Sequence, residues 1–260
     1  MRFSSSSSEV RRFLIDKSKG MEDQVGIFID SNEEGARRFC YYVYRRGIGA
    51  KNMPSTEHEG YAWFAYATCR GLNKEEIAVA STGIIGVALP MNNIKKGLQT
   101  LFAKPRETNA DNVAEAMLTT DLRKKEVWVD QKIGKHVIQV AGLTKGSGMI
   151  APNMATTLGF LVTNAGIDQE QLQDVFAACI DESYNMMSVD TDTSTNDMAL
   201  CFATGEYPLD TDNKDEMKAF KDLVKKACIS LAVQIAKDGE GASKLIEVQV
   251  IQAKTTSIAK

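Results

Sequence analysis

The sequence predicts an α/β fold in which mixed or antiparallel sheets are layered with helices. Three observations lead there. Helical and strand-like patterns alternate along the chain, most of them carry an apolar face suited to a core, and no internal repeat or proline-rich linker separates them. With 43% hydrophobic and 25% charged residues in 260 positions, the composition is that of an ordinary folded protein, and one domain over residues 1–260 is expected rather than tandem modules.

Taken in order, VGIFID at residues 25–30 reads as a buried strand. Ser31 followed by Glu34 forms a capping box, so GARRFCYYVYRR is expected to be a helix stopped by Gly47. Residues 57–70 read as helical, and EEIAVAS at 75–81 as an apolar strand that leads into STGIIG. Ile94, Leu98 and Leu101 recur at helical spacing after Pro90, and TNADNVAEAML opens with cap-type residues and continues as a short helix.

KEVWVD and HVIQVAGL are two β-like runs on either side of Gly134, the pattern of a hairpin. TLGFLVTN is strand-like. From Asp168 to Tyr184, residues Leu172, Val175, Phe176, Cys179 and Ile180 fall on one helical face. Residues 196–206 read as a strand. A long helical stripe follows, made by Met217, Phe220, Val224, Ala227, Leu231 and Ile235, and the glycines of DGEGASK end it. LIEVQVIQA is expected to close the fold as a further strand.

Composition removes several kinds of chemistry. A net charge of −3 gives no electrostatic case for nucleic acid or an anionic membrane as partner. No apolar run is long enough to span a bilayer, and there is no secretory signal pattern. The serine- and arginine-rich start resembles an organellar transit peptide faintly, but Glu9 and Asp16 count against it. A disordered tail and a cytoplasmic protein are expected, with an organelle as the alternative. Five cysteines, odd in number and scattered (Cys40, Cys69, Cys179, Cys201, Cys228), read as buried thiols in a reducing compartment. With only His58 and His136 as histidines, a zinc or histidine-based site is not expected.

KGSGMIAPNMATTLGFL, residues 145–161, runs from a flexible polar loop straight into an apolar strand. Such a loop is ordinarily only a turn. A second reading is chemical. A threonine hydroxyl needs a base, and no histidine lies near in sequence. If the bond between Ala155 and Thr156 is cut, the new α-amino group, with an unperturbed pKa of roughly 7.7 to 8.0, can serve the Thr156 hydroxyl itself. The hydroxyl can make that cut by attacking the Ala155 carbonyl, so that the acyl group moves from nitrogen to oxygen and water hydrolyses the ester.

KGSGMIAPNMAT closely resembles the autocleavage signature of the ornithine acetyltransferase family, also called bifunctional glutamate N-acetyltransferases. VASTGIIGVALPM at 79–91, MLTTD at 117–121, VDTDTSTND at 189–197 and DGEGASKLIEVQV at 238–250 resemble further blocks of that family in the same order, so the resemblance covers roughly residues 57–254. It implies an N-terminal-nucleophile architecture of the DmpA/ArgJ-like kind. The precursor would cleave itself before Thr156 into an alpha chain (1–155) and a beta chain (156–260). The reaction implied is ping-pong: acetyl passes from N-acetylornithine to Thr156, ornithine leaves, and glutamate takes up the acetyl group.

Some family members also accept acetyl-CoA as co-substrate. No metal or bound prosthetic group is expected, and two cleaved pairs would form a heterotetramer. At matching positions the resemblance implies that Thr82 and Gly83 form an oxyanion hole and that Thr119, Lys145, Thr156 and Glu240 bind substrate. The chemistry suits these roles: Lys145 can pair with a carboxylate, Glu240 with an ammonium, and Thr119 with either. STGIIG fits neither the Walker A spacing nor the full dinucleotide fingerprint, so nucleotide binding is disfavoured.

Asp190, Asp192 and Asp197 suggest a cation site, but a calcium loop would need a glycine and a distal glutamate, so Asn196 and Asp197 are read as a structural turn before a strand. Trp63, Trp128, Met186 and Met187 are read as core or rim packing. Two departures from the family stand out. Residues 1–50 lack its N-terminal pattern, and the beta chain is expected to be truncated, without the asparagine and hydroxyl residue that complete the family's pocket. Two other readings remain: a related N-terminal-nucleophile amidase or peptidase in which water is the acceptor, and an inactive binding or assembly fragment.

Overall fold

The computed structural model describes residues 110–152, 157–193 and 197–255, the backbone of Cys40–Tyr44, and positions 80, 93 and 258. The strand at residues 25–30, the capping box, the elements expected at 57–70, 75–81 and 94–101, and Cys69, His58 and Trp63 lie outside the described residues.

Among the described residues the alternating runs become a five-stranded sheet. Its strands are β1 (Cys40–Tyr44), β2 (Lys125–Ile133), β3 (His136–Lys145), β4 (Leu158–Gly166) and β5 (Met198–Pro208), in the spatial order β1-β5-β4-β3-β2. All neighbours are antiparallel except β4 and β5, which are parallel, so the sheet is mixed. The β2–β3 hairpin turns at Gly134, whose φ of 55° is a conformation that costs glycine little. A parallel pair cannot be joined by a tight turn. Between β4 and β5 the chain therefore makes a crossover through helix α2 (Gln169–Asp181) and a short 3₁₀ turn at Tyr184–Met186. Helix α1 (Ala110–Ala116) precedes the hairpin and α3 (Lys214–Lys237) follows β5.

Period-two alternation gives the sheet two apolar faces. Ala199, Cys201 and Ala203 of β5 join the main core with α2 and α3, whereas Met198, Leu200 and Phe202 face the other way with Leu158, Phe160 and Met117. The residues predicted for the face of α2, Leu172, Val175, Phe176, Cys179 and Ile180, are the ones buried. Along α3, Phe220, Val224, Ala227, Leu231 and Ile235 are buried as expected, and Met217 packs at the margin. Each large side chain so buried contributes about 1.5 to 3 kcal/mol.

Trp128 packs on a small cluster of Ala114, Ala141 and Leu143; Met187 is buried and Met186 exposed. Cys179, Cys201 and Cys228 are buried free thiols, and burial pushes the Cys179 thiol up to about 12, which makes it unreactive. Among the described residues no helix is long and apolar enough to cross a membrane.

Two sequence expectations are corrected. Residues 40–44 lie in a strand, paired antiparallel with β5, and not in a helix. The run CYYVY is aromatic and β-branched, and that preference prevails over the capping signal upstream. LIEVQV, expected as a closing strand, has no strand structure: Ile246 is 80% and Val248 81% exposed. A β-prone run becomes a strand only beside a partner, and among the described residues none pairs with it.

Asn213 caps α3, accepting hydrogen bonds from the Asp215 and Glu216 amides at 3.0 and 3.4 Å. Asn213→Ala is expected to cost about 1 kcal/mol, within the usual range for lost N-caps, read as a lower urea midpoint with an unchanged slope.

Candidate active site

Register decides which residues meet. Lys145 pairs with Leu158, and Leu158 pairs with Met198, so one row across the sheet joins the last residue of β3 to the first residues of β4 and β5. Immediately beyond that row lie the loop from Gly146, the approach to β4 at Thr157, and Asp197. The start of β2 and the C-terminal end of α3 reach the same place, because Lys125 pairs with Thr144 and binds Asp238.

A buried ion cluster ties these ends together. The Lys125 ammonium, 1% exposed, lies 2.6 Å from Asp121 Oδ1 and 2.6 Å from Asp238 Oδ2. Asp121 Oδ1 also accepts from the Gly146 amide at 2.7 Å, and its other oxygen from the Thr119 amide at 3.2 Å. Asp238 Oδ2 accepts from the amides of Leu122 and Arg123 at 3.0 and 3.2 Å. Two further bonds register the loops on each other: Ser147 Oγ donates to the Asp238 carbonyl at 2.7 Å, and the Glu240 amide to the Ser147 carbonyl at 2.8 Å.

Burial alone would raise the Asp121 carboxyl. Hydrogen bonds from Lys125 and Gly146 and the Lys125 charge outweigh it, so the carboxyl is held below its ordinary value. Lys145 is 1% exposed. Burial pulls its pKa down and Lys125 adds to that, while Asp121 and Asp197 oppose it; the net shift is downward. In its charged form a lysine buried in this way attracts an anion more strongly than one at the surface.

Glu240 is exposed, and its carboxylate lies directly over Gly148: a Cβ added there would sit 2.4 Å from Glu240 Oε2. A Cβ at that position would require the Glu240 carboxylate to swing away. The structure thus gathers Thr119, Lys145 and Glu240 at one end of the sheet. Thr82, Gly83, Ala155, Thr156 and Asn196 lie outside the described residues. The nearest described neighbour of Thr156 is Thr157, which is fully buried and whose amide donates to Asp197 Oδ1 at 2.5 Å.

Sequence reasoning missed Lys125 and Asp238. Lys125 begins an apolar strand and looks like a solvated end, and the DGEG run looks like a helix stop. The two positions are 113 residues apart, so no local pattern links them. Asp190, weighed above for a cation site, and Asp197, read above as part of a turn, hold backbone amides of the loops around the candidate site.

A model of the ArgJ family matches residues 56–260. The arginine biosynthesis bifunctional protein ArgJ of Bacillus anthracis is 45% identical over 193 residues, covering 73% of this chain and 47% of that protein. Its namesake in Gloeobacter violaceus is 43% identical over 189 residues, covering 71% of this chain and 46% of that protein. A crystal structure of ArgJ from Bacillus halodurans is 35% identical, with a TM-score of 0.34 over 39% of this chain and 56% of that one. The chain therefore spans about half the length of the curated relatives it matches.

Proposed function

The chain belongs to the ArgJ family, and from that premise we propose that it is an acetyltransferase of arginine biosynthesis, moving acetyl from N-acetylornithine to glutamate through Thr156. In this reading the precursor first cuts itself between Ala155 and Thr156. The freed α-amino group accepts the hydroxyl proton, and Thr156 Oγ attacks the acetyl carbonyl. Thr82 and Gly83 stabilise the oxyanion, a contribution of roughly 2.7 to 4 kcal/mol for a donor of this kind. Ornithine leaves with a proton on its amine. The amine of glutamate then attacks the Thr156 ester, and the hydroxyl is restored.

Lys145 and Glu240 hold the substrate's carboxylate and ammonium, and Thr119 hydrogen-bonds beside them. The reaction needs no metal or prosthetic group. Acetyl-CoA is an alternative donor, two cleaved pairs assemble as a heterotetramer, and the setting is the cytoplasm. The observation that supports this reading best is the convergence of Lys145, Asp197 and Thr157 at one end of the sheet, with Glu240 against the same loop.

Intact-mass measurement of the purified chain is expected to find two pieces, the second beginning at Thr156. Incubation with N-acetylornithine should add one acetyl group to that second piece. A single species, uncut over days, would overturn the reading. Release of free acetate in the absence of glutamate, at the full rate of ornithine formation, would replace it with a hydrolase.

A further inference from the structure

Two short segments flank the proposed cut in a matched way. The Ile150 amide donates to Asp190 Oδ1 at 2.9 Å, and the Thr157 amide donates to Asp197 Oδ1; in both bonds donor and acceptor are 40 residues apart. The backbone follows the same pairing. The Val189 amide donates to the Ile150 carbonyl at 2.8 Å, and the Met198 amide to the Thr157 carbonyl at 2.9 Å. Residues 150 and 190 at one end, and 157 and 197 at the other, are thus held side by side. The stretch proposed to be cut lies between the two fixed points.

The upstream end is also strained. Met149 and Thr191 have φ of 52° and 64°, in the left-handed region that side-chain-bearing residues avoid, a β-branched threonine most of all. Both flank the contact with Asp190. Its Oδ2 accepts from the Met149 amide at 2.6 Å, and its Oδ1 also accepts from the Asp192 amide at 3.1 Å. One carboxylate therefore organises three amides around two unfavourable backbone conformations. At the other end, Asp197 is 3% exposed and interacts electrostatically with Lys145.

We propose that Asp190 and Asp197 are positioning residues for self-cleavage: they brace the chain at Met149–Ile150 and at Thr157, fixing both flanks of the bond between Ala155 and Thr156. This rests on the reading in the preceding subsection. Neither carboxylate donates or accepts a proton in the cut. Each acts through the backbone amides it holds, restricting the flanks so that hydroxyl and carbonyl meet in a reactive geometry, a kind of restriction that strongly affects intramolecular reactions.

The test uses the whole chain, followed by intact mass after rapid purification, with hydrogen exchange of the strand amides as a measure of the fold. Asp197→Ala removes the acceptor and is expected to slow cleavage by roughly 10- to 100-fold, the effect of losing a hydrogen bond to a charged group. Asp197→Asn keeps an acceptor oxygen and should cut within a few-fold of the unaltered chain, with β3 and β4 protected as before. A role confined to stability would instead lower exchange protection in step with the cutting rate, and that result would overturn the brace.

Asp190→Asn keeps one of the two oxygens and is expected to slow cleavage by an intermediate factor. It decides the matter if Asp197→Ala does not fold: cutting at the unaltered rate with intact protection overturns the proposal. If the unaltered chain cuts and all three variants match it, the brace alone is wrong. If the unaltered chain never cuts, the transferase reading and the brace fail together.

Discussion

Thr156→Ala is expected to leave the chain in one piece, with no second N-terminus and no acetyl adduct after exposure to N-acetylornithine. Alanine removes the only atom that, in the proposed route, attacks the Ala155 carbonyl and later carries the acetyl group. The loss should be at least about 10³-fold, as for removal of other covalent nucleophiles. Thr156→Ser keeps a hydroxyl and an α-amine at the same position and should still cut. The pair of variants separates self-cleavage from the action of an outside protease, which would cut both. If Thr156→Ala were to transfer acetyl groups, the covalent mechanism would be wrong whatever the state of the cut.

The second large effect is expected at Lys125. Lys125→Met keeps most of the side-chain volume but leaves the buried Asp121 and Asp238 carboxylates without the ammonium that bridges them, with the Lys145 charge still acting on Asp121. Breaking a buried pair from one side costs about 3 to 5 kcal/mol, visible as a large drop in urea midpoint. The pH dependence has a definite sign. In the unaltered chain the Asp121 carboxyl is held below its ordinary value of 3.8, so its stabilising contribution is present above that pH and is lost as pH falls through the depressed value.

In Lys125→Met the Asp121 carboxyl loses the hydrogen bond and the charge that offset its burial, so it rises from its depressed position, and its contribution is lost at a higher pH than in the unaltered chain. The deficit between the two proteins should therefore shrink on going from neutral to acid solution. A deficit that is the same across pH would mean that Lys125 matters for its packing and not for its charge.

These sites differ in how far the sequence reveals them. The hairpin at Gly134 and the faces of α2 and α3 follow from spacing within one segment, and the structure has them where the spacing predicts. Lys145 and Glu240 stand out in the sequence only through blocks that resemble a family; alone, each would be a surface charge. The buried cluster of Asp121, Lys125 and Asp238 depends on a register between β2 and β3 and on where α3 ends, which no local pattern contains. The strand at 40–44 and the unpaired run at 245–251 fail for one reason. Strand formation depends on what lies alongside, whereas a helix face is written largely in its own residues.

The sheet order has one more consequence. Read as β1-β5-β4-β3-β2, it places β4 and β5, which follow Thr156, between β1 on one side and β3 and β2 on the other, all of which precede it. A cut before Thr156 would yield two polypeptides whose strands are interleaved and cannot part without dismantling the hydrogen-bond ladders between them. The uncut chain folds as a first-order process, whereas the separated halves would have to find each other, at a rate set by their concentration. Cleavage would then turn a reversible folder into an assembly with a long memory of how it was made, stable as long as it stays folded and slow to recover once it does not.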